Sequence, residues 1–200
     1  MPKRKNEHGG GSETNRLGLK YEEETNLDKA LRAEGFRLEV AYLNKNKKVS
    51  PNAFEVFNGD QLVGYLVSQW RLYDYLHKVI SSESSGWKMP LSKKLKPDEA
   101  FVNLLDKTLY IVEKKTQSGS GSVDEKLQTF PFKIRQYKRL VNGITIDGHQ
   151  LEVKYRYNLD SYFDDPAYND LFDYMRDENL DFHLHRKGEA FQMPLRLIGL

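Results

Sequence analysis

Cysteine is absent from the 200 residues. That excludes a disulfide framework, a thiolate metal site and a cysteine nucleophile, and with them the Cys-bearing zinc signature of the common nucleobase deaminases. No run approaches the roughly eighteen apolar residues of a membrane-spanning helix. The opening MPKRKNEHGGG has no apolar segment of the kind a secretory signal needs, so a soluble, cytoplasmic chain is expected. Neither sign of charge dominates: 31 Lys and Arg stand against 29 Asp and Glu, a net +2. A nucleic-acid binder with so even a balance has to gather its cations on one face and its acids elsewhere or around metal ions. There is also no Walker phosphate loop, GxGxxG, GxSxG or HExxH, and the Ser/Gly run at 118–122 lacks the lysine and helix context of a nucleotide loop.

What is present predicts one domain over residues 14–200, long enough to bury a proper core, behind a basic, Gly-rich tail at 1–13 that is expected to be disordered. Leu17, Tyr21, Leu27, Ala30 and Leu31 form a helical stripe that ends before Gly35. FRLEVAYL alternates as a half-buried strand with Phe36, Leu38, Val40 and Tyr42 on one face. AFEVF and QLVGYLVSQ flank the turn signal Asn58-Gly59-Asp60. In WRLYDYLHKVI, Trp70, Leu72, Tyr73, Leu76 and Ile80 share a helical face and are expected in the core. Ser122, with Glu125 three residues on, predicts a helix starting at Val123, which Pro131 should break in two. LEVKYRYNL reads as a further strand, Asp165-Pro166 as the start of a helix, and DFHLH as a strand with His183 and His185 on one face. That His spacing can bind metal, though two His alone do not make a site. The apolar end FQMPLRLIGL is expected to dock on the body or on a second copy. Together these predict an α/β fold, a central mixed sheet with helices on its faces.

The stretch from Lys96 to Lys126 carries the chemistry. AFVNLL and TLYIVEKK are rich in Phe, Val, Leu, Ile and Tyr and are separated by Asp106 and Lys107, so they read as a hairpin. A two-residue turn there sets Val102 opposite Ile111, Ala100 opposite Glu113 and Asp98 opposite Lys115. Residues that face each other share a side of the sheet, so Asp98, Glu113 and Lys115 converge at one end. Two close carboxylates repel, and a shared divalent cation held through oxygens relieves the repulsion. Mg2+ suits such a site, and a cation there, with a lysine beside it, is suited to phosphodiester hydrolysis.

Pro97-Asp98, followed after fourteen residues by Glu113-Lys114-Lys115, resembles the PD-(D/E)xK nuclease signature. The surrounding GSVDEKLQT and the later Gln136-Tyr137 resemble type II restriction endonucleases of that superfamily. The resemblance implies a restriction-endonuclease-like fold, Mg2+ bound by Asp98 and Glu113, and a catalytic Lys115. It also implies a further glutamate from an early helix, which GLKYE would supply as Glu22. Cleavage of double-stranded DNA at a specific sequence by a homodimer follows from the same resemblance. A structure-selective repair or recombination nuclease of the same superfamily would share the site, and a non-catalytic nucleic-acid-binding module would not use it.

Around the motif lie groups suited to DNA. Lys88, Lys93, Lys94 and Lys96 precede it, and Lys126, Lys133, Arg135 and Lys138 follow it; such side chains contact phosphates. Gln117, Ser118, Ser120 and Ser122, in a loop whose glycines permit close approach, are candidates for base contacts.

Overall fold

The structure, a computed structural model, describes residues 10–43, 53–83, 88–117 and 123–200. Helices α1 (Gly10–Glu24) and α2 (Leu27–Ala33) stand where the sequence predicts one helix. The break has a local cause. Thr25 returns its hydroxyl to the Tyr21 carbonyl at 2.6 Å, and Asn26, extended at φ −70° and ψ 128°, caps α2 by accepting the Asp28 amide. Gly35 closes the pair in the left-handed region, at φ 86°.

Strand β1 (Arg37–Val40), β2 (Ala53–Asn58) and β3 (Gln61–Val67) begin an antiparallel meander, with β2 and β3 joined at Gly59-Asp60 as the turn signal requires. Helix α3 (Arg71–Glu83) follows, then β4 (Glu99–Asn103) and β5 (Thr108–Lys115). Helix α4 (Val123–Leu127) begins at Val123, and α5 (Phe130–Val141) restarts with Pro131 in its first turn, so the expected break is observed. Ser122, the expected cap, lies outside the described residues. A small hairpin, β6 (Thr145–Ile146) and β7 (His149–Gln150), leads into β8 (Glu152–Leu159). Asp165 caps a short 3-10 turn through its carboxylate, and α6 (Asn169–Asp177) follows it rather than starting at Pro166. Strand β9 (Asp181–Leu184) comes last.

Seven strands make one sheet in the order β1-β2-β3-β4-β5-β8-β9, antiparallel through β5 and parallel from β5 to β9. The molecule is therefore α/β with a mixed central sheet. Antiparallel neighbours need only tight turns, whereas the parallel pair β5–β8 needs the helical crossover through α4 and α5. Each face of the sheet has its own core. Leu72 and Leu76 of α3, Phe130 and Tyr137 of α5, Ala100, Ile111, Tyr155 and Tyr157 fill one. Leu27 and Leu31 of α2, Val56, Phe101, Val112, Leu197 and Ile198 fill the other.

Two local expectations change, and a third is met on the chain's own body. β1 ends at Val40, and beyond it the alternation inverts: Ala41 and Leu43 are buried while Val40 and Tyr42 are exposed. Trp70 precedes α3 rather than joining its inner stripe and is 47% exposed. The C-terminal segment docks on its own chain: Met193, Leu197 and Ile198 are buried in the second core, and the Asn103 side-chain amide donates to the Ile198 and Gly199 carbonyls. The apolar end therefore gives no indication of a second copy. Among the described residues no helix is long and apolar enough to cross a membrane.

Candidate metal and catalytic site

The hairpin register differs from the expected one by two residues. Asn103 pairs with Thr108, so residues 104–107 form the turn, and Glu99 pairs with Val112. Asn103 makes this longer turn stable, its side-chain oxygen accepting the Leu105 amide at 2.8 Å. A slip of two leaves every side chain on its original face, whereas a slip of one would have reversed them all. Continued by one pair, the observed register sets Asp98 across from Glu113, and the three motif residues still converge.

The Lys115 ammonium lies among three oxygens: Asp98 Oδ2 at 3.3 Å, Glu113 Oε2 at 3.0 Å and the Lys114 carbonyl at 2.8 Å. The Asp98 oxygen also accepts the Lys114 amide at 2.9 Å, which fixes the carboxylate to the edge of β5. Glu113 is nearly buried and Lys115 largely so, while the Asp98 side chain keeps 36% of its exposure. Burial alone would lower the Lys115 pKa; the Asp98 and Glu113 carboxylates outweigh it and hold the ammonium above the ordinary lysine value. The cluster is thus a charged lysine bound between two acids, open to solvent on the Asp98 side.

Lys133 completes it. Its ammonium reaches Glu113 Oε2 at 3.0 Å from the inner face of α5, one turn before the buried Tyr137. The sequence placed Lys133 among outward phosphate contacts. The spacing of Phe130, Lys133 and Tyr137 along one helical stripe was the available signal that it points inward. Tyr137, Tyr155 and Tyr157 wall the cluster below. Burial first, and the nearby Glu113 charge second for Tyr137 and Tyr155, push their hydroxyls well above the ordinary tyrosine pKa. They stay neutral.

The remaining candidates divide. Glu22 is exposed at the end of α1; its carbonyl accepts from Lys114 Nζ at 3.4 Å, and it lines a cleft that Asp98 also borders. Its carboxylate makes no hydrogen bond or ion pair to Asp98, Glu113 or Lys115. Gln117 is buried rather than presented on an open loop, and its amide is held by Asp160 at 3.2 Å. Ser118, Ser120 and Ser122 lie outside the described residues. Lys126 is exposed on α4, and Arg135 and Lys138 are exposed on the side of α5 away from Lys133. His183 and His185 are packed edge to face at 4.5 Å. His185 is buried and holds the Leu159 and Gln192 main chain through both ring nitrogens, as a structural histidine does.

A second acid–lysine pair, unforeseen from the sequence, occupies the other face. Glu99 and Lys114 meet at 2.7 Å with both side chains almost fully buried. Glu99 also accepts the Ser68 hydroxyl and, at 3.3 Å, the Leu27 amide that starts α2. The signal was in the doublets: in Asp98-Glu99 and Lys114-Lys115, strand alternation sends one member of each to each face.

Two carboxylates and a carbonyl within 3.3 Å of one ammonium show that these oxygens can close on a single cation. Hard oxygen donors of that number, with an open side for water, fit Mg2+. No group of three or more Asp, Glu or His side chains suited to a metal occurs among the described residues, so the main-chain carbonyl matters to the fit. Comparison with protein families, with curated proteins and with solved structures returned no match.

Proposed function

We propose that this chain is a Mg2+-dependent deoxyribonuclease of the PD-(D/E)xK kind, acting in the cytoplasm as a type II restriction endonuclease. It hydrolyses phosphodiester bonds of double-stranded DNA at a short specific sequence, as a homodimer whose two sites cut the two strands. The observation that carries this reading is the oxygen cradle around Lys115 Nζ, formed by Asp98, Glu113 and the Lys114 carbonyl.

In this mechanism Asp98, Glu113 and the Lys114 carbonyl would hold Mg2+. When bound, the ion supplies Lewis-acid polarisation of the phosphate and a water of lowered pKa. Lys115, displaced from between the acids, keeps its charge beside the reacting water and orients it, while its ammonium stabilises negative charge developing on the phosphate. Lys133, free to leave Glu113, offers a second cation to a non-bridging phosphate oxygen. Lys126, Arg135 and Lys138 contact the backbone farther along the duplex, a contribution that falls with added salt.

The test is incubation with plasmid DNA and Mg2+, beside EDTA and a Lys115→Ala control. Discrete fragments from the wild type, absent from both controls, are the expected result. A smear lost in the same controls would retain hydrolysis and remove sequence specificity. No cleavage of a sequence-diverse set of DNAs, with Mg2+ or Mn2+, would overturn the nuclease reading.

A further inference from the structure

On the Glu99–Lys114 side of the hairpin a cleft of ≈ 480 Å³ opens beside Asp98. Cavities of about 300–1,000 Å³ are the size that takes a small ligand. Its composition is specific. Phe54 and Leu66 give it an apolar portion, Trp70 stands at its margin, and Glu22 and Asp28 line it with carboxylates. The buried Glu99–Lys114 pair, tied to Ser68 and to the start of α2, makes part of the wall rigid and electrically neutral.

Among the described residues Trp70 touches the core only through Tyr73, their ring centroids 6.3 Å apart. It is 47% exposed, and the Lys96 ammonium lies 4.1 Å from its ring centroid, with Lys94 5.7 Å away. An exposed indole with cations against it is a platform for a flat, electron-rich ring that carries a phosphate. The platform is also locked to the catalytic strand. Gln69, held in the left-handed region at φ 57°, donates its amide to the Pro97 carbonyl at 3.0 Å. A non-glycine residue kept there costs free energy that the local structure must offset, and the bond fixes the stacking surface next to Asp98.

We infer that this cleft receives one nucleobase of the substrate strand, displaced from its stack next to the scissile phosphate, and selects bases that carry an exocyclic amine. Trp70 stacks on the base, Asp28 and Glu22 accept hydrogen bonds from its amine, and Lys94 and Lys96 meet its phosphate. Cytosine, adenine and guanine present such donors; thymine presents none outside its ring. Displacing a base costs least where it is mismatched or already unpaired, so a mismatch at a C, A or G beside the cut within the recognised sequence should let that base enter more readily. The inference rests on the nuclease reading for the role of the cleft, but binding can be read without turnover.

The chain has two tryptophans, Trp70 and Trp87, so Trp87→Phe leaves Trp70 as the sole reporter. Fluorescence of this variant is titrated in EDTA with the 5′-monophosphates of deoxycytidine, deoxyadenosine, deoxyguanosine and thymidine, and with deoxyribose 5-phosphate. Saturable quenching by the first three is expected. Thymidine monophosphate should bind about tenfold more weakly, the scale of one lost hydrogen bond to a charged group, and the base-free sugar phosphate should not quench. Asp28→Asn, at a half-buried surface position, should narrow that gap. No quenching, equal quenching by all five, or a gap unchanged in Asp28→Asn would each overturn the inference. None of these outcomes alters plasmid cleavage with its Lys115→Ala control, so the two readings fail separately.

Discussion

The end of the β4–β5 hairpin carries an acid–lysine cluster on each face, and the two differ in closure and stoichiometry rather than in chemical type. On one face Glu99 and Lys114 are matched one to one, both nearly out of water, and the remaining carboxylate oxygen takes the Ser68 hydroxyl. On the other, Lys115 is shared between Asp98 and Glu113, Glu113 is shared between Lys115 and Lys133, and Asp98 remains partly open to solvent. A saturated pair has nothing left to offer a substrate, and it joins α1, α2, the residue after β3 and the hairpin. An over-subscribed cluster with an open side can exchange one cation for another. Neighbouring residues in the chain have thus been separated by strand alternation into a closed pair and an open cluster.

The sharpest way to break this comparison is to cut each cluster separately. Glu99→Ala leaves the Lys114 ammonium buried without its partner and should destabilise the fold by about 3–5 kcal/mol, measured by urea unfolding. A loss below about 1 kcal/mol would mean that the pair behaves as a surface ion pair. Lys115→Ala should reverse the pattern, lowering cleavage about a hundredfold to a thousandfold while the unfolding transition moves far less than in Glu99→Ala. Equal losses of stability in the two variants would erase the distinction between the faces. Lys133→Met removes one of the two ammonium groups competing for Glu113, so Ca2+ affinity of the DNA-free protein should rise by about tenfold, the scale of one nearby charge. Calorimetry that shows weaker Ca2+ binding instead would make Lys133 a support of the site rather than a competitor for it.

The smallest effect concerns the edge of the sheet. Burial first, then His185 and Arg196, lower the His183 pKa to about 4. A histidine with a depressed folded-state pKa takes up protons more readily when unfolded, so its contribution to stability is complete above about pH 6.5. That contribution is lost as pH falls through the folded value near 4. Replacing His183 with Gln should flatten the melting temperature over that window and leave cleavage at neutral pH unchanged. A pH profile identical to wild type would remove His183 from the acid response.

How much of this the sequence disclosed follows the distance over which each contact forms. Asp98, Glu113 and Lys115 were legible because one hairpin brings them together, and the error in register was even, so their common face survived it. Asn103 was the overlooked residue, since its side chain stabilises a longer turn than Asp106 and Lys107 suggest. The stripe through Leu27 and Leu31 hides the interruption at Thr25 and Asn26, after which α2 begins, while Glu22 at the end of α1 borders the cleft beside Asp98. Trp70 fits the helical spacing of α3 but precedes the helix, after the left-handed Gln69. Lys133 depends on how α5 docks over β8, a contact between segments far apart in the chain, and local pattern does not determine it. The docking of the C-terminal segment was expected, though the choice between its own sheet and another copy required the tertiary structure.

The turn at 104–107 joins β4 to β5, whereas β8 reaches β5 only after the crossover of residues 116–151. Closing the short loop costs little chain entropy and closing the long one more, so the meander is expected to form first and the parallel half later. During synthesis both carboxylates and Lys115 therefore emerge and can pair before α5 brings Lys133 and the exposed cations of its outer face. A chain stopped after Lys115 would carry the whole recognisable motif without α5, so under the nuclease proposal cleavage is expected only once the domain is complete. Ribosome-bound chains halted on either side of α5 and assayed for plasmid nicking would show whether activity waits for that helix.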